Sequence, residues 1–270
     1  MKTRLALVSC SIGLALAGAI HFEAATGTAP PASKANQAVN AVPVLVELFT
    51  AEGCSSCPPA DVLLEKILEV QPTPQAMLVG LGEHVDYWNQ LGWKDRFSSS
   101  LFTRRQQQYA TRPASDVYTP QMVVDGREAF VGSDLAAARR AIERAASVAH
   151  GVIHLTLDPQ ASDKSKIVVV VEVNNLPALP ADDPAELLLA STEDHLRTEV
   201  KHGENQGRTL THAAVVREMV TLAPVSAGGG SERGTLRIDS DWKRENVKIV
   251  AFLQQRRTRH IIGTAVLPLG

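Results

Sequence analysis

The sequence predicts an α/β domain of order βαβαββα followed by an all-β, sandwich-like domain. Three observations carry this. A nearly continuous apolar run, VPVLVELFT (42–50), precedes an amphipathic stretch and a second short apolar run. A strand buried on both faces reads as such a run rather than as an alternation. Asp125-Gly126, inside QMVVDGREAFV, is the two-residue turn signal of a hairpin. Beyond His150-Gly151 the helical period stops, and short β-rich runs punctuated by Gly, Pro, Asn and Asp take over.

Each element follows from its own pattern. Residues 60–70, ADVLLEKILEV, put apolar side chains on one broad helical face, with Glu65, Lys66 and Glu69 opposite. AMLVGL (76–81) reads as the second strand, parallel to the first because a crossover helix joins them. Residues 94–110 read as a helix with Phe97, Leu101 and Tyr109 on one side, and 121–131 as the hairpin. Ser133 is the expected N-cap of a helix from Asp134 to Ala149, where Leu135, Ala138, Ile142, Ala145 and Ala149 recur at helical steps. Strands are expected at 153–158, 166–173, 186–192, 209–222, 234–239, 247–255 and 261–269. A chain of 270 residues has room for two domains of roughly 100–200 residues each. They are expected at 42–150 and 151–270.

The amino terminus has a different character. Lys2 and Arg4 precede an apolar stretch from Leu5 to Ala19 that closes on the small residues Ala17-Gly18-Ala19. This is the pattern of an export signal over residues 1–19, and it predicts a periplasmic or extracellular protein. The other reading is an uncleaved anchor, for which the segment is short against the roughly 20 residues of a membrane span. Leu7-Val8-Ser9-Cys10 resembles a lipidation site, but the apolar run continues well past the cysteine. Residues 20–41, rich in Ala, Pro, Ser and Thr, read as a flexible tether. With a net charge of -2 and 4% aromatic residues, the chain has neither the charge nor the stacking platforms of a nucleic-acid binder. Removal of the leader leaves two cysteines and no further apolar span.

Those cysteines, Cys54 and Cys57, stand in ELFTAEGCSSCPPAD, between the first strand and the first helix. The spacing suits a small disulfide loop. A helix N-terminus carries a partial positive charge that favours thiolate over thiol. Cys54 is expected in a turn exposed to solvent, as the attacking sulfur, with Cys57 resolving the mixed disulfide. Pro58 and Pro59 are tolerated in a first helical turn but bias Cys57 toward extended geometry. The acids Glu52 and Asp61 oppose thiolate formation, so the sign of the net shift stays open.

Val117-Tyr118-Thr119-Pro120-Gln121 leads into the hairpin. A CSSC after a buried strand, together with Thr-Pro before a hairpin, resembles the thioredoxin-like superfamily. That resemblance implies an α/β thioredoxin-like domain with Pro120 in the cis form against the dithiol. It also implies Tyr118 and Thr119 at the place where an incoming peptide pairs. ELFTAEGCSSCPPAD, HVDYWNQLGWKDRF, VYTPQMVVDG and GENQGRTLTH are similar to the blocks of a bacterial exported family of unknown function that carries a thioredoxin-like domain. The resemblance spans residues 42–269. Ser55-Ser56 in place of Gly-Pro, and the prolines that follow, depart from well-characterised thioredoxins and bear on redox potential and direction.

Other candidates surround the motif. Glu83-His84-Val85-Asp86-Tyr87-Trp88 follows the second strand, at the carboxyl end where open α/β sheets place ligands. Asp86 and Trp88 are candidates to line a substrate groove, or else to cap and pack. His84 is a candidate metal ligand or proton shuttle. In Gly203-Glu204-Asn205-Gln206-Gly207-Arg208, Glu204 and Asn205, with His212 beyond, either form a glycine-bounded turn or face the dithiol across the domain interface. Arg256-Arg257-Thr258-Arg259-His260 reads as a solvated hairpin tip. Three functions compete. The first is a thiol–disulfide oxidoreductase whose partners are protein or small-molecule thiols and disulfides, needing no cofactor beyond its own disulfide. The second is a copper or zinc protein using Cys54, Cys57 and His84. The third is a binding scaffold with a static disulfide.

Overall fold

Val42–Thr50 forms β1, Pro58–Val70 forms α1 and Ala76–His84 forms β2. β1 and β2 run parallel, with Val42 beside Ala76 and Thr50 beside His84. Then come α2 (Ser100–Ala110), the hairpin β3 (Gln121–Val124) and β4 (Glu128–Val131), and α3 (Leu135–Ala146). β3 pairs antiparallel with β1, so the strand order here is β2-β1-β3-β4. Asp125 and Gly126 both have positive φ, at 46° and 61°, and the Arg127 N–H donates to the Val124 carbonyl at 2.9 Å, but Val124 pairs with Glu128, so residues 125–127 form the connection rather than the expected two. This computed structural model describes residues 41–110, 117–225 and 228–270. The expected leader, and the tether up to residue 40, lie outside the described residues.

Two helices differ from expectation at their starts. α2 begins at Ser100, not at residue 94. The Asp95 carboxylate accepts the Phe97 N–H at 2.8 Å and the Asp95 carbonyl accepts the Ser98 hydroxyl at 2.8 Å. That local turn competes with the helix for the same main-chain groups. α3 is capped by Asp134, whose carboxylate accepts the Ala137 N–H at 2.9 Å, rather than by Ser133.

The β-rich part contains β5 (Val152–Leu157), β6 (Lys166–Asn174), β7 (Ala185–Glu193), β8 (Leu196–Glu199) and β9 (Thr209–His212). After them come β10 (Val215–Val225), β11 (Gly230–Arg237), β12 (Val247–Gln255) and β13 (Ile261–Pro268). β5, β6 and β11 make one three-stranded sheet. β7, β10, β12 and β13 do not make an independent second sheet. They extend the first one into an eight-stranded sheet of order β13-β12-β7-β10-β2-β1-β3-β4. The seam is narrow: Val215 lies beside Gly82, and the Gly82 N–H donates to the Ala214 carbonyl at 2.7 Å. A Cβ on Gly82 would stand 3.0 Å from the Ala213 carbonyl oxygen, so a side chain there would push the seam apart. The division expected at residue 150 is therefore bridged by a continuous sheet. Every described residue falls in one compact unit, Lys34–Gly270.

The expected strand 209–222 is broken at Ala213–Ala214, with Ala214 at φ 52°. The Asp194 carboxylate takes the Ala214 N–H at 2.8 Å and fixes that corner. β9 thereby turns away and pairs with β8, an unexpected strand, as a separate two-stranded hairpin.

Alternation decides the packing. Val44, Val46 and Leu48 of β1 pack with Leu64 and Ile67 of α1 and with Ala138 and Ile142 of α3. Their neighbours Leu45, Val79 and Leu81 point the other way and pack with Phe102 of α2 and Val250 and Phe252 of β12. Ile167, Val169, Val171 and Val173 of β6 pack with Leu187 and Leu189 of β7 and Ile249 and Leu253 of β12. The tract 256–260 is only partly a solvated tip. Asp183 accepts from Arg257 N and Thr258 N, and the Ile261 N–H donates to the Asp125 carbonyl at 2.8 Å, so the tip is stitched to the β3–β4 turn.

A charged group lies inside. Arg105 of α2 is 4% exposed and meets Glu47 of β1 and Glu83 of β2, neither of which has exposed surface. Its guanidinium also donates to Gln254 Oε1 of β12 at 2.8 Å, and Tyr109 donates to Glu47 at 2.6 Å. Burial, with Glu47 beside it, pushes the Glu83 carboxyl well above its usual range despite Arg105. Removing the guanidinium leaves two buried carboxyls without their ion-pair partner. Arg105→Met is expected to cost roughly 3–5 kcal/mol of stability. Urea denaturation at pH 7 measures it, and Arg105→Lys should fall between the two.

Candidate functional site around the Cys54–Cys57 disulfide

β1 ends at Thr50 and the chain turns at once. Cys54 N donates to the Ala51 carbonyl, Cys57 N to the Cys54 carbonyl and Ala60 N to the Cys57 carbonyl, at 3.2, 3.2 and 2.8 Å. These successive turns feed into α1. Cys57 is the N-cap, with φ −77° and ψ −38°, and the prolines take the first two helical positions. The preference of a pre-proline residue for extended geometry is overridden, because the two turn bonds hold Cys57 in the helical region. The Cys54 and Cys57 Cα atoms lie 5.4 Å apart and the side chains form a disulfide.

The expectation that Cys54 reaches solvent is overturned. Both cysteines have 0% exposure, and Ser55 and Ser56 are the exposed members of the motif. The turn folds the sulfurs back onto Phe49, Ala51, Val85, Tyr109 and Val123, with Tyr87 and Trp88 packed beside them. The Thr119-Pro120 peptide bond is cis. The Ser56 hydroxyl links this segment to the sulfurs, 3.5 Å from the Thr119 carbonyl and 3.3 Å from Cys54 Sγ. Trp88 Nε1 donates to Thr119 Oγ1 at 2.8 Å, and Gln106 Nε2 donates to the Tyr118 carbonyl at 2.7 Å. Cys54, Cys57, Trp88 and Thr119 are thus brought together, with Pro120 next to Thr119 in the chain. Asp86 is not part of this group. It binds Thr103 of α2 through its carboxylate (2.6 Å) and its N–H (3.1 Å), so it anchors a helix rather than lining a groove.

His84 is buried and its Nδ1 lies 2.6 Å from Asp95 Oδ2. Asp95 Oδ2 also accepts the Glu52 N–H at 2.9 Å, so this pair braces the turn before Cys54. The alternative metal set of Cys54, Cys57 and His84 does not assemble. Both sulfurs are spent in the disulfide, and no group of three or more potential ligands converges among the described residues.

The β8–β9 hairpin supplies the remaining neighbours. Asn205 Nδ2 donates to the Glu52 and Cys54 carbonyls, both at 2.9 Å, and Glu204 Oε2 accepts the Ser55 N–H at 3.1 Å. His212 Nε2 lies 3.4 Å from Glu52 Oε1, and its Nδ1 lies 4.0 Å from Asp61 Oδ2. Burial raises the Asp61 carboxyl above its ordinary value, though His212 and His84 pull it down. Asp95 and Trp93, which donates to Glu52 at 2.7 Å, are members that the sequence reading did not single out. Their signal was one aromatic and one acidic residue in the connection between β2 and α2.

Burial by itself lowers the His84 imidazolium pKa, but the Asp95 carboxylate outweighs it and the net direction is up from 6.5. Burial likewise raises Asp95, yet His84 and the N–H groups of Glu52 and Phe97 bring it down to about 2. The His84 contribution to stability is complete below its ordinary 6.5 and is lost as pH rises through the folded value. The Asp95 contribution is complete above 3.8 and is lost as pH falls toward about 2. Between those limits both hold. Wild type should therefore lose stability as pH rises above neutrality, and Asp95→Asn should lose the His84 part of that dependence while the part from the buried Glu83 carboxyl remains. Urea midpoints between pH 6 and pH 9 compare the two.

A family described as "Protein of unknown function (DUF1223)" matches residues 45–254. The chain belongs to this family. A crystal structure of a protein from Agrobacterium tumefaciens is 26% identical, with a TM-score of 0.65 over 85% of this chain and 96% of that one. HBP35 of Porphyromonas gingivalis is similar at a TM-score of 0.61 and 16% identity, over 85% of this chain and 76% of that one. At that identity the likeness concerns fold alone. No curated protein matches the chain. Among the described residues no helix is long and apolar enough to cross a membrane.

Proposed function

We propose that this chain is an exported thioredoxin-like protein that exchanges its Cys54–Cys57 disulfide with thiols and disulfides of proteins or small molecules. The observation that carries the reading is the disulfide's position. It joins the turn after β1 to the N-cap of α1, and the Thr119 carbonyl lies 3.5 Å from the Ser56 hydroxyl between the two cysteines. The strand order β2-β1-β3-β4, with α1 and α3 against one face and α2 against the other, supports the thioredoxin-like reading. The apolar amino-terminal stretch supports export. In the exchange, a partner thiolate bonds to Cys54 Sγ and the Cys54–Cys57 bond breaks. Cys57 leaves as a thiolate at the helix N-terminus. Cys57 then attacks Cys54 to release the partner, or a second partner thiol completes the reduction of both cysteines. The missing N–H groups of Pro58 and Pro59 and the acids Glu52 and Asp61 weaken the electrostatic help to that thiolate.

One observation favours the second reading, a binding scaffold with a static disulfide: neither sulfur has exposed surface. Redox equilibration separates the two. An exchanging protein is expected to have a potential between about -270 and -120 mV, and a static disulfide one below about -300 mV. Thiol alkylation and mass spectrometry across defined dithiothreitol and glutathione buffers provide the value. Cys57→Ser should accumulate a mixed disulfide with a disulfide-bearing protein, the Cys54 thiolate bonding to one partner sulfur while the partner's S–S bond breaks and its other sulfur leaves as a thiolate. Cys54→Ser should accumulate far less. A potential below that limit, with no mixed disulfide in either variant, would end the exchange reading.

A further inference from the structure

We infer that the β8–β9 hairpin controls access to the disulfide and that Asn205 is its latch. The inference deepens the exchange reading and rests on it for its purpose. Cys54 and Cys57 have no exposed surface, so a thiolate reaches a sulfur only after the surrounding chain moves, and we take the moving part to be the segment 52–55 that carries Cys54. Three main-chain groups of that segment are held by the hairpin tip. Asn205 Nδ2 binds the Glu52 and Cys54 carbonyls, and the Glu204 carboxylate binds the Ser55 N–H. Opening the segment breaks these bonds together.

The latch is built for this place. Asn205 has 0% exposure, so water does not replace a bond lost there. Arg208 Nη1 donates to Asn205 Oδ1 at 3.0 Å, which turns the amide so that its donor end faces the Cys54 loop. Gly203 and Gly207, at φ 80° and 79°, let the tip fold back on Val200, which bonds to Gly207 and Arg208. A Cβ on Gly203 would stand 3.2 Å from Trp93 Cβ, so the tip wedges tightly against the loop that carries Trp93. The hairpin belongs to neither larger sheet, and a lone two-stranded hairpin is marginal without packing. It is pinned at its base, where the His212 ring lies 4.9 Å from His84 and 5.8 Å from Phe97, and at its tip by Asn205. Asn205 is thus a positioning residue. It touches no sulfur and acts through the main chain of Cys54.

Reduction by dithiothreitol tests the latch in the intact protein. One reagent thiolate bonds to a cysteine sulfur and the protein S–S bond breaks. The second reagent thiolate then displaces that cysteine and closes the reagent's own disulfide. Two electrons pass to the protein, and Cys54 and Cys57 take up protons as free thiols. Access limits only the first bond. The rate is followed by alkylation of the released thiols and mass spectrometry. Asn205→Ala, and Asn205→Asp with its carboxylate against two carbonyls, should each react about tenfold faster than wild type. Glu204→Ala, at an exposed position, should show a smaller acceleration. Val171→Ala, in β6 and away from the site, should lower the melting temperature and leave the rate unchanged. Rates within about twofold of wild type for both Asn205→Ala and Glu204→Ala overturn the inference. Equal acceleration in Val171→Ala does so too. If neither Asn205 variant folds, Glu204→Ala decides alone. Dithiothreitol reports access whether or not protein thiols exchange. A latch without protein exchange sinks only the proposed function, and exchange without a latch sinks only this inference.

Discussion

The placement of one cation organises the molecule. Arg105 projects from α2 into the sheet and meets a carboxyl from each of the two parallel strands, Glu47 and Glu83. Two carboxyls in a desolvated interior repel each other and neither is stable without a partner. Arg105 lets them coexist, and its remaining donors reach Gln254 of β12 and the Tyr109 hydroxyl. One side chain therefore ties β1, β2 and α2 to a strand of the carboxyl-terminal half. That tie, with the β2–β10 seam, is why the two halves share a sheet instead of separating at residue 150.

The disulfide inherits its surroundings from this arrangement. Tyr109 belongs both to the Arg105 network and to the apolar shell around Cys54 and Cys57. The turn from β1 to the disulfide is braced a second time by Asp95, which holds His84 and the Glu52 N–H on one carboxylate oxygen. A third brace comes from Asn205. A dithiol motif that local geometry alone would present to solvent is instead clamped from the β2–α2 connection and from the β8–β9 turn. Burial and clamping together make accessibility, more than helix electrostatics, the property that separates an exchanging disulfide from a static one here.

Much of the candidate site was legible because its signals are local. CSSC after an apolar strand, Thr-Pro before a hairpin, and Asp125-Gly126 all encode short-range geometry. GENQGR was legible as a turn, and its reach toward Cys54 was one of two readings. Asp86 shows the limit: its position beside Trp88 in sequence says nothing of Thr103, a turn of α2 that folds back on it. Asp95 and Arg105 were missed for the same reason. A charged residue in a loop or on a helix reads as solvated until its partners arrive from elements that are distant in sequence. Glu47 within VPVLVELFT was the visible part of that network, a carboxyl in a run otherwise suited to burial, whereas Glu83 read as following the second strand.

Most of the strands and helices, the turn at Asp125-Gly126 and the cysteine spacing are encoded locally, because each depends on periodicity or on backbone preferences within a few residues. The sequence by itself also carried family membership in its blocks. Tertiary structure alone decided that β10 would join β2, that the run 209–222 would break at Ala214 to release the hairpin, and that both sulfurs would be buried. Those outcomes depend on long-range pairing of main-chain groups and on charge neutralisation between residues far apart in the chain. No local pattern records either.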